Sequence, residues 1–90
     1  MNGRIYCIDR IKLHYEKIFP AGKKIADYIL NNAEDVLNIS IKEMAEKLNL
    51  NEATIVKFCR YLGYKGYKEF RVEVIKDFTI KSNISDYFNS

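Results

Sequence analysis

Between Ala53 and Lys68 the chain carries four cations, Lys57, Arg60, Lys65 and Lys68, and no acidic residue. The chemistry open to such a run is anion binding, and phosphate oxygens are the natural partners of Lys and Arg. A charge run alone is most often a solvated face, so its meaning depends on the element that carries it. Lys57 and Arg60 stand three apart in a segment whose Ile55, Phe58, Cys59 and Leu62 mark one apolar helical face. The two cations therefore project together from the opposite side. Lys65 and Lys68 flank Gly66 in the following loop, and Arg71 extends the cluster one turn into the next helix. At the start of the cation-bearing helix, free backbone N–H groups suit a phosphate, with Asn51 and Thr54 as hydrogen-bonding side chains.

The element that would hold this face runs from Ser40 to Leu62. Ser40 and Glu43 form a capping box, in which each side chain can satisfy the other's backbone N–H. Ile41, Met44, Ala45 and Leu48 fall on one face of the helix that follows, with Lys42, Glu46 and Lys47 facing water. Asn49-Leu50-Asn51 breaks that pattern. Asn49 tolerates the left-handed backbone of a tight turn, Leu50 can plug the angle between helices, and Asn51 is a good N-cap for the next one. Gly63 is a natural terminator at the far end. Two short helices joined by so tight a turn have the geometry of a helix-turn-helix, with small Ala45 where the second helix crosses the first. An ordinary helical hairpin would satisfy the apolar pattern equally well, but it does not explain the cations.

The flanking chain reads as support. Ile5, Ile8, Ile11, Tyr15 and Ile18 form a helical stripe, predicting a first helix that starts between Tyr6 and Asp9 and ends near Phe19. Pro20 suits the first turn of a second helix running to about Asn31, with Ile25, Ala26, Ile29 and Leu30 as its apolar face. Phe19 cannot cap that helix, and Gly22 weakens its first turn by about 1 kcal/mol relative to alanine. Val36, Leu37 and Ile39 supply core contacts from a short helical turn and an extended connection. In GYKGYKEF, Gly63 and Gly66 are expected to make a bend. Tyr64 and Phe70 would then pack the cationic helix onto a fifth helix, Tyr67 to about Phe78, whose Phe70, Val74, Ile75 and Phe78 point inward. Aromatics among lysines could also stack single-stranded bases. Residues 81–90 read as a frayed tail or the start of a linker, in which Ile84, Tyr87 and Phe88 could dock on a partner.

Composition bounds the rest. Ninety residues, 48% of them hydrophobic, suffice for one core and leave no room for a second. The formal charge of +3 is too small to argue for nucleic acid by itself, so the case rests on clustering. Cys7 and Cys59 show no metal-ligand or disulfide-framework spacing, which fits a reducing cytosol and predicts no cofactor or metal. No apolar run reaches membrane-spanning length, so a soluble cytoplasmic protein without membrane partners is expected. The lone His14 lacks a nucleophile or carboxylate pattern, no paired carboxylates stand out, and GYKG follows a helix, where a phosphate-cradling loop would follow a strand. An enzyme is not expected. The alternative from another class is a helical protein-interaction module with an incidental basic patch; salt elution from heparin or nonspecific duplex discriminates the two.

The wording KKIADYILNNAEDVLNISIKEMAEKLNLNEATIVKFCRYLGYKGYKEFRVEV closely resembles the N-terminal DNA-binding domain of the RpiR family of bacterial transcriptional regulators. The likeness spans roughly residues 18–75, with IADYIL, ATIVKFCRYLGYKG and KEF as its most specific runs. It implies an all-α, five-helix homeodomain-like bundle over residues 1–80, reading double-stranded operator DNA as a homodimer with the helix 51–62 in the major groove. On that reading Asn51, Thr54, Lys57, Tyr61 and Lys65 position the helix, Arg60 and Lys68 hold flanking phosphates, and Glu52 or Ala53 touch base edges. The family carries a C-terminal sugar-isomerase-type domain that binds phosphosugars, so a phosphosugar effector is implied only for a longer chain containing such a domain. Three positions depart from the family's habit: Phe19 stands for a threonine, Asn51 for a serine, and Lys57 for an arginine. The last exchanges a bidentate guanine contact for a point charge.

Overall fold

The computed structural model describes residues 6–89, with backbone alone described for 81–89. Five α-helices follow one another: α1 (Cys7–His14), α2 (Pro20–Asn31), α3 (Ile41–Leu48), α4 (Glu52–Tyr61) and α5 (Tyr67–Asn89). Single 3₁₀ turns, Tyr15–Lys17 and Ala33–Leu37, lie before and after α2. Among the described residues there is no strand, no helix is long and apolar enough to cross a membrane, and no cluster of His, Cys, Asp or Glu is placed to hold a metal.

The core is the set of positions the periodicity marks. Ile11 and Ile18, Ile25, Ala26 and Ile29, Val36, Met44 and Ala45, Ile55, Phe58, Cys59 and Leu62, and Phe70 and Val74 are all buried in one cluster. Leu30, Leu37, Ile41, Leu50 and Phe78 pack against it half-buried. Ile75 is the exception: it is 37% exposed. The inward position in that turn of α5 belongs to Asp77, which is 1% exposed. Its carboxylate accepts from the backbone N–H of Cys7, the first residue of α1. That helix has no side-chain cap of its own, so α5 supplies from across the molecule the acceptor that the first turn lacks.

Both helices of the central pair end in the same way. After α3, Asn49 takes φ 57°, its N–H donates to Glu46 O, and Leu50 N–H donates to Ala45 O at 2.9 Å. After α4, Gly63 takes φ 102°, its N–H donates to Arg60 O, and Tyr64 N–H donates to Cys59 O at 3.0 Å. Each is a Schellman closure with a left-handed residue at its corner. Gly63 is required twice over, because a Cβ there would also come within 3.1 Å of Arg10 Nη1. Gly66 is not needed for the bend: its φ is not positive and a Cβ would meet nothing within 4 Å.

Several expectations change. The stripe of α1 gives way to a 3₁₀ turn at Tyr15, so the α-helix stops at His14 and not near Phe19. Gly22, read as a weak point, is a packing requirement: a Cβ on it would lie 2.5 Å from Ile18 Cγ2 and 3.0 Å from the Phe19 ring. The fifth helix does not end near Phe78; its backbone stays helical to Asn89. The side chains of Ile84, Tyr87 and Phe88, and Ile5 of the first stripe, lie outside the described set.

Candidate nucleic-acid interface

The helix α4 is presented by caps and by packing from three sides. Asn51 Oδ1 accepts from both the backbone N–H and the hydroxyl of Thr54, at 2.8 and 2.9 Å. The capping box at the start of α3 is complete, with Ser40 N–H donating to Glu43 Oε1 and Glu43 N–H to Ser40 Oγ. That exchange, led by the Ser40 backbone N–H, holds the Glu43 carboxyl below its usual range. Beneath α4, the Phe58 and Phe70 rings meet edge to face at 6.1 Å, and Tyr64 and Phe70 do so at 5.5 Å. At its C-terminal end, Arg10 donates to Leu62 O at 3.0 Å while its guanidinium lies 5.2 Å from the Tyr64 ring centroid. Nothing in the local pattern of α1 announces that clamp.

The expected interface residues divide into three groups. Ala53, Lys57, Arg60 and Tyr61 line one open trough on the outer side of α4, together with Val56 and with Phe19 from the start of α2. Lys65 and Lys68 line a second, beside Gly66, Tyr67, Glu69 and Val72. Arg60 links these two groups, its Nε–H donating to Lys65 O at 3.0 Å. Asn51, Glu52 and Thr54 sit at the N-terminal end of α4; Asn51 and Glu52 are exposed and Thr54 is half-buried. The cap therefore occupies the Asn51 carbonyl and the Thr54 backbone N–H, leaving the Asn51 amide NH₂ as the donor available for a contact outside the domain.

The geometry changes one assignment and removes one alternative. Arg71 does not extend the cation cluster: it donates through Nε to Val36 O at 3.0 Å and through Nη2 to Leu37 O, closing the 3₁₀ turn before α3. Tyr64 and Tyr67 are not base-stacking platforms. Tyr64 is 9% exposed and accepts from the Cys7 thiol, and Tyr67 donates to Ile39 O at 2.7 Å. Burial pushes the Cys7 thiol, which donates to Tyr64, and the Cys59 thiol up to about 12, so both are inert packing groups at neutral pH.

Phe19 is the residue of this trough that the sequence did not reveal. Its ring rests against Gly22, and Lys57 Nζ sits 4.4 Å from its centroid. At an exposed site such a cation–π contact contributes about 0.5–1 kcal/mol and limits the directions the lysine explores. The clue available was composition alone: an aromatic where a helix cap wants a hydroxyl. The partnership with Lys57 joins residues 38 positions apart and leaves no local periodicity.

A tight helical pair closed by two left-handed corners, with a cationic outer face on its second helix, defines a DNA-binding helix-turn-helix domain. The profile of the helix-turn-helix domain, rpiR family, matches residues 5–81, and the chain belongs to that family. It is 38% identical over 76 residues to an uncharacterized HTH-type transcriptional regulator of Haemophilus influenzae, a match covering 84% of this chain and 26% of that protein. It is 30% identical over 71 residues to the bifunctional protein glk of Paraburkholderia xenovorans, covering 79% of this chain and 11% of that one. Among solved structures, the N-terminal domain of ybbH from Bacillus subtilis superimposes with a TM-score of 0.72 at 26% identity, covering 77% of this chain and 84% of that one. The Vibrio vulnificus NanR protein complexed with ManNAc-6P does so with a TM-score of 0.80 at 36% identity, covering 90% and 31%. The chain thus spans about a quarter or less of the curated relatives it matches. It is a DNA-binding regulatory domain of the helix-turn-helix kind.

Proposed function

We propose that α4 enters the major groove of double-stranded operator DNA in a sequence-specific manner. Lys57, Tyr61, Asn51, Thr54 and Lys65 would orient it, Arg60 and Lys68 would hold flanking phosphates, and Glu52 or Ala53 would reach base edges. The observation that carries this reading is the outer side of α4, where Lys57 and Arg60 border one trough with no acidic residue along it. The domain works by binding and not by catalysis. It acts in the cytoplasm as one half of a homodimer on paired half-sites.

The test is fluorescence anisotropy of a duplex enriched from a random-sequence pool, titrated across salt. Lys57→Ala should weaken binding and reduce the slope of log affinity against log salt by about one unit. Unchanged affinity and slope would remove Lys57 from the interface.

We further propose that this domain serves the control of sugar or phosphosugar metabolism and that, in a longer chain carrying a phosphosugar-binding domain, it responds to a phosphosugar. The support is the likeness to NanR, which is described in complex with ManNAc-6P and of which this chain covers only 31%. Where the reading frame continues past Ser90 into a phosphosugar-binding domain, a phosphosugar that changes operator affinity of that full chain is the outcome expected. Operator affinity indifferent to every phosphosugar tried would remove the effector from the proposal.

A further inference from the structure

The outer side of α4 contains more than cations. Its trough, about 680 Å³ and open to solvent, is lined by four apolar or aromatic side chains, Phe19, Ala53, Val56 and Tyr61, and by the two cations Lys57 and Arg60. Ala53 is exposed, Val56 and Phe19 are half-buried, and Tyr61 is 42% exposed. Phosphate contact does not call for such a lining, because phosphate oxygens are bound by charges, hydroxyls and N–H groups. The edge of a base pair in the major groove offers one apolar group, the C5-methyl of thymine.

We infer that this trough is a methyl-reading subsite, in which Phe19, Ala53 and Val56 receive a thymine C5-methyl while Lys57 and Arg60 engage the neighbouring groove edge and phosphates. The inference rests on the reading of α4 as the groove-entering helix and specifies one base it reads. Its occupant follows from position, since the trough is continuous with the outer side of α4 and bordered by its cations. Phe19 reaches the subsite from another helix and is held in advance. Gly22 allows its ring to lie against the first turn of α2, and Lys57 stacks on it at 4.4 Å. A ring fixed before binding loses little freedom when it meets the methyl, which is what a specificity contact requires.

The experiment takes a duplex enriched from a random-sequence pool by the chain itself and resynthesises it with each thymine replaced singly by uracil. Uracil deletes the C5-methyl and keeps the O4 acceptor and the pairing, so any loss is assigned to the methyl. At one or two thymines, uracil should weaken binding about threefold to tenfold, the scale of one buried methyl in a well-formed contact. The salt slope should stay unchanged. In Phe19→Thr that penalty should shrink below about twofold, with the overall salt slope retained. Ala53→Ser, at a surface position outside the core, should shrink the penalty too and covers the case in which loss of Phe19 unfolds α2. Uracil neutral at every thymine, or a full penalty surviving in both variants, would overturn the subsite and leave the major-groove reading standing. Failure to enrich any duplex would overturn both.

Discussion

Gly63 sits at the corner between α4 and α5 with φ 102°, in a region that L side chains rarely enter, and a Cβ there would press on Arg10 Nη1 at 3.1 Å. Arg10 is the residue that donates to Leu62 O at the end of α4, so the strain and the clamp are coupled. Gly63→Ala should therefore destabilise the domain by about 1–2 kcal/mol, read from urea or thermal unfolding. Gly66→Ala is the control, because nothing lies near its Cβ and no left-handed backbone is needed; it should fall within about 0.5 kcal/mol of the parent. Equal losses at the two glycines would contradict this account of the corner. Lys57 carries the same kind of double duty, stacked on Phe19 yet exposed on the outer side of α4.

The helices differ in how their ends are satisfied, and that decides which single changes melt them. Helix α3 caps itself through Ser40 and Glu43, and α4 through Asn51, in patterns contained within four residues. Helix α1 has no side-chain cap of its own and relies on Asp77 from α5. Asp77→Ala should cost on the order of 2 kcal/mol, since it strips a charged acceptor from a buried N–H. Asp77→Asn, which keeps an acceptor oxygen, should cost less. Comparable losses for Ala and Asn would mean that the carboxyl oxygen is not what holds α1. The capping box gives a pH signature. Its hydrogen bonds lower the Glu43 carboxyl in the folded state, so the contribution is present above the ordinary value of 4.5 and disappears as pH falls through the lowered folded value. The gap in melting temperature between the parent and Glu43→Gln should thus be open at pH 7 and close as acidification carries the solution below the ordinary carboxyl value of 4.5 and through the lowered folded value. A gap that stays constant throughout that acidification would argue against the carboxylate as its source.

Across the whole molecule, the proposed operator geometry predicts symmetry in the DNA. Duplexes enriched by this chain should contain inverted half-sites about one helical turn apart, roughly 10 base pairs, and bind two chains each. A single half-site saturating one chain with undiminished affinity would leave the dimer without support. At this scale the division between sequence and tertiary structure is also clearest. The caps at Ser40 and Asn51, the left-handed Asn49 and Gly63, the start of α2 at Pro20 and nearly every core position follow from rules that act within one turn of helix. They are legible in the sequence for that reason, as are the cations opposite the Ile55, Phe58 and Leu62 face. What tertiary structure decided are the pairings between distant segments. Asp77 turns inward where the pattern favours Ile75, because α5 crosses the start of α1. Arg71 leaves the cation cluster to close the Ala33–Leu37 turn. Phe19 joins the outer side of α4 because α2 packs on α4 with Gly22 at its first turn. Spacing along the chain encodes which face of a helix is apolar, whereas which helix meets that face, and which polar group ends up beneath it, depends on how all five pack at once.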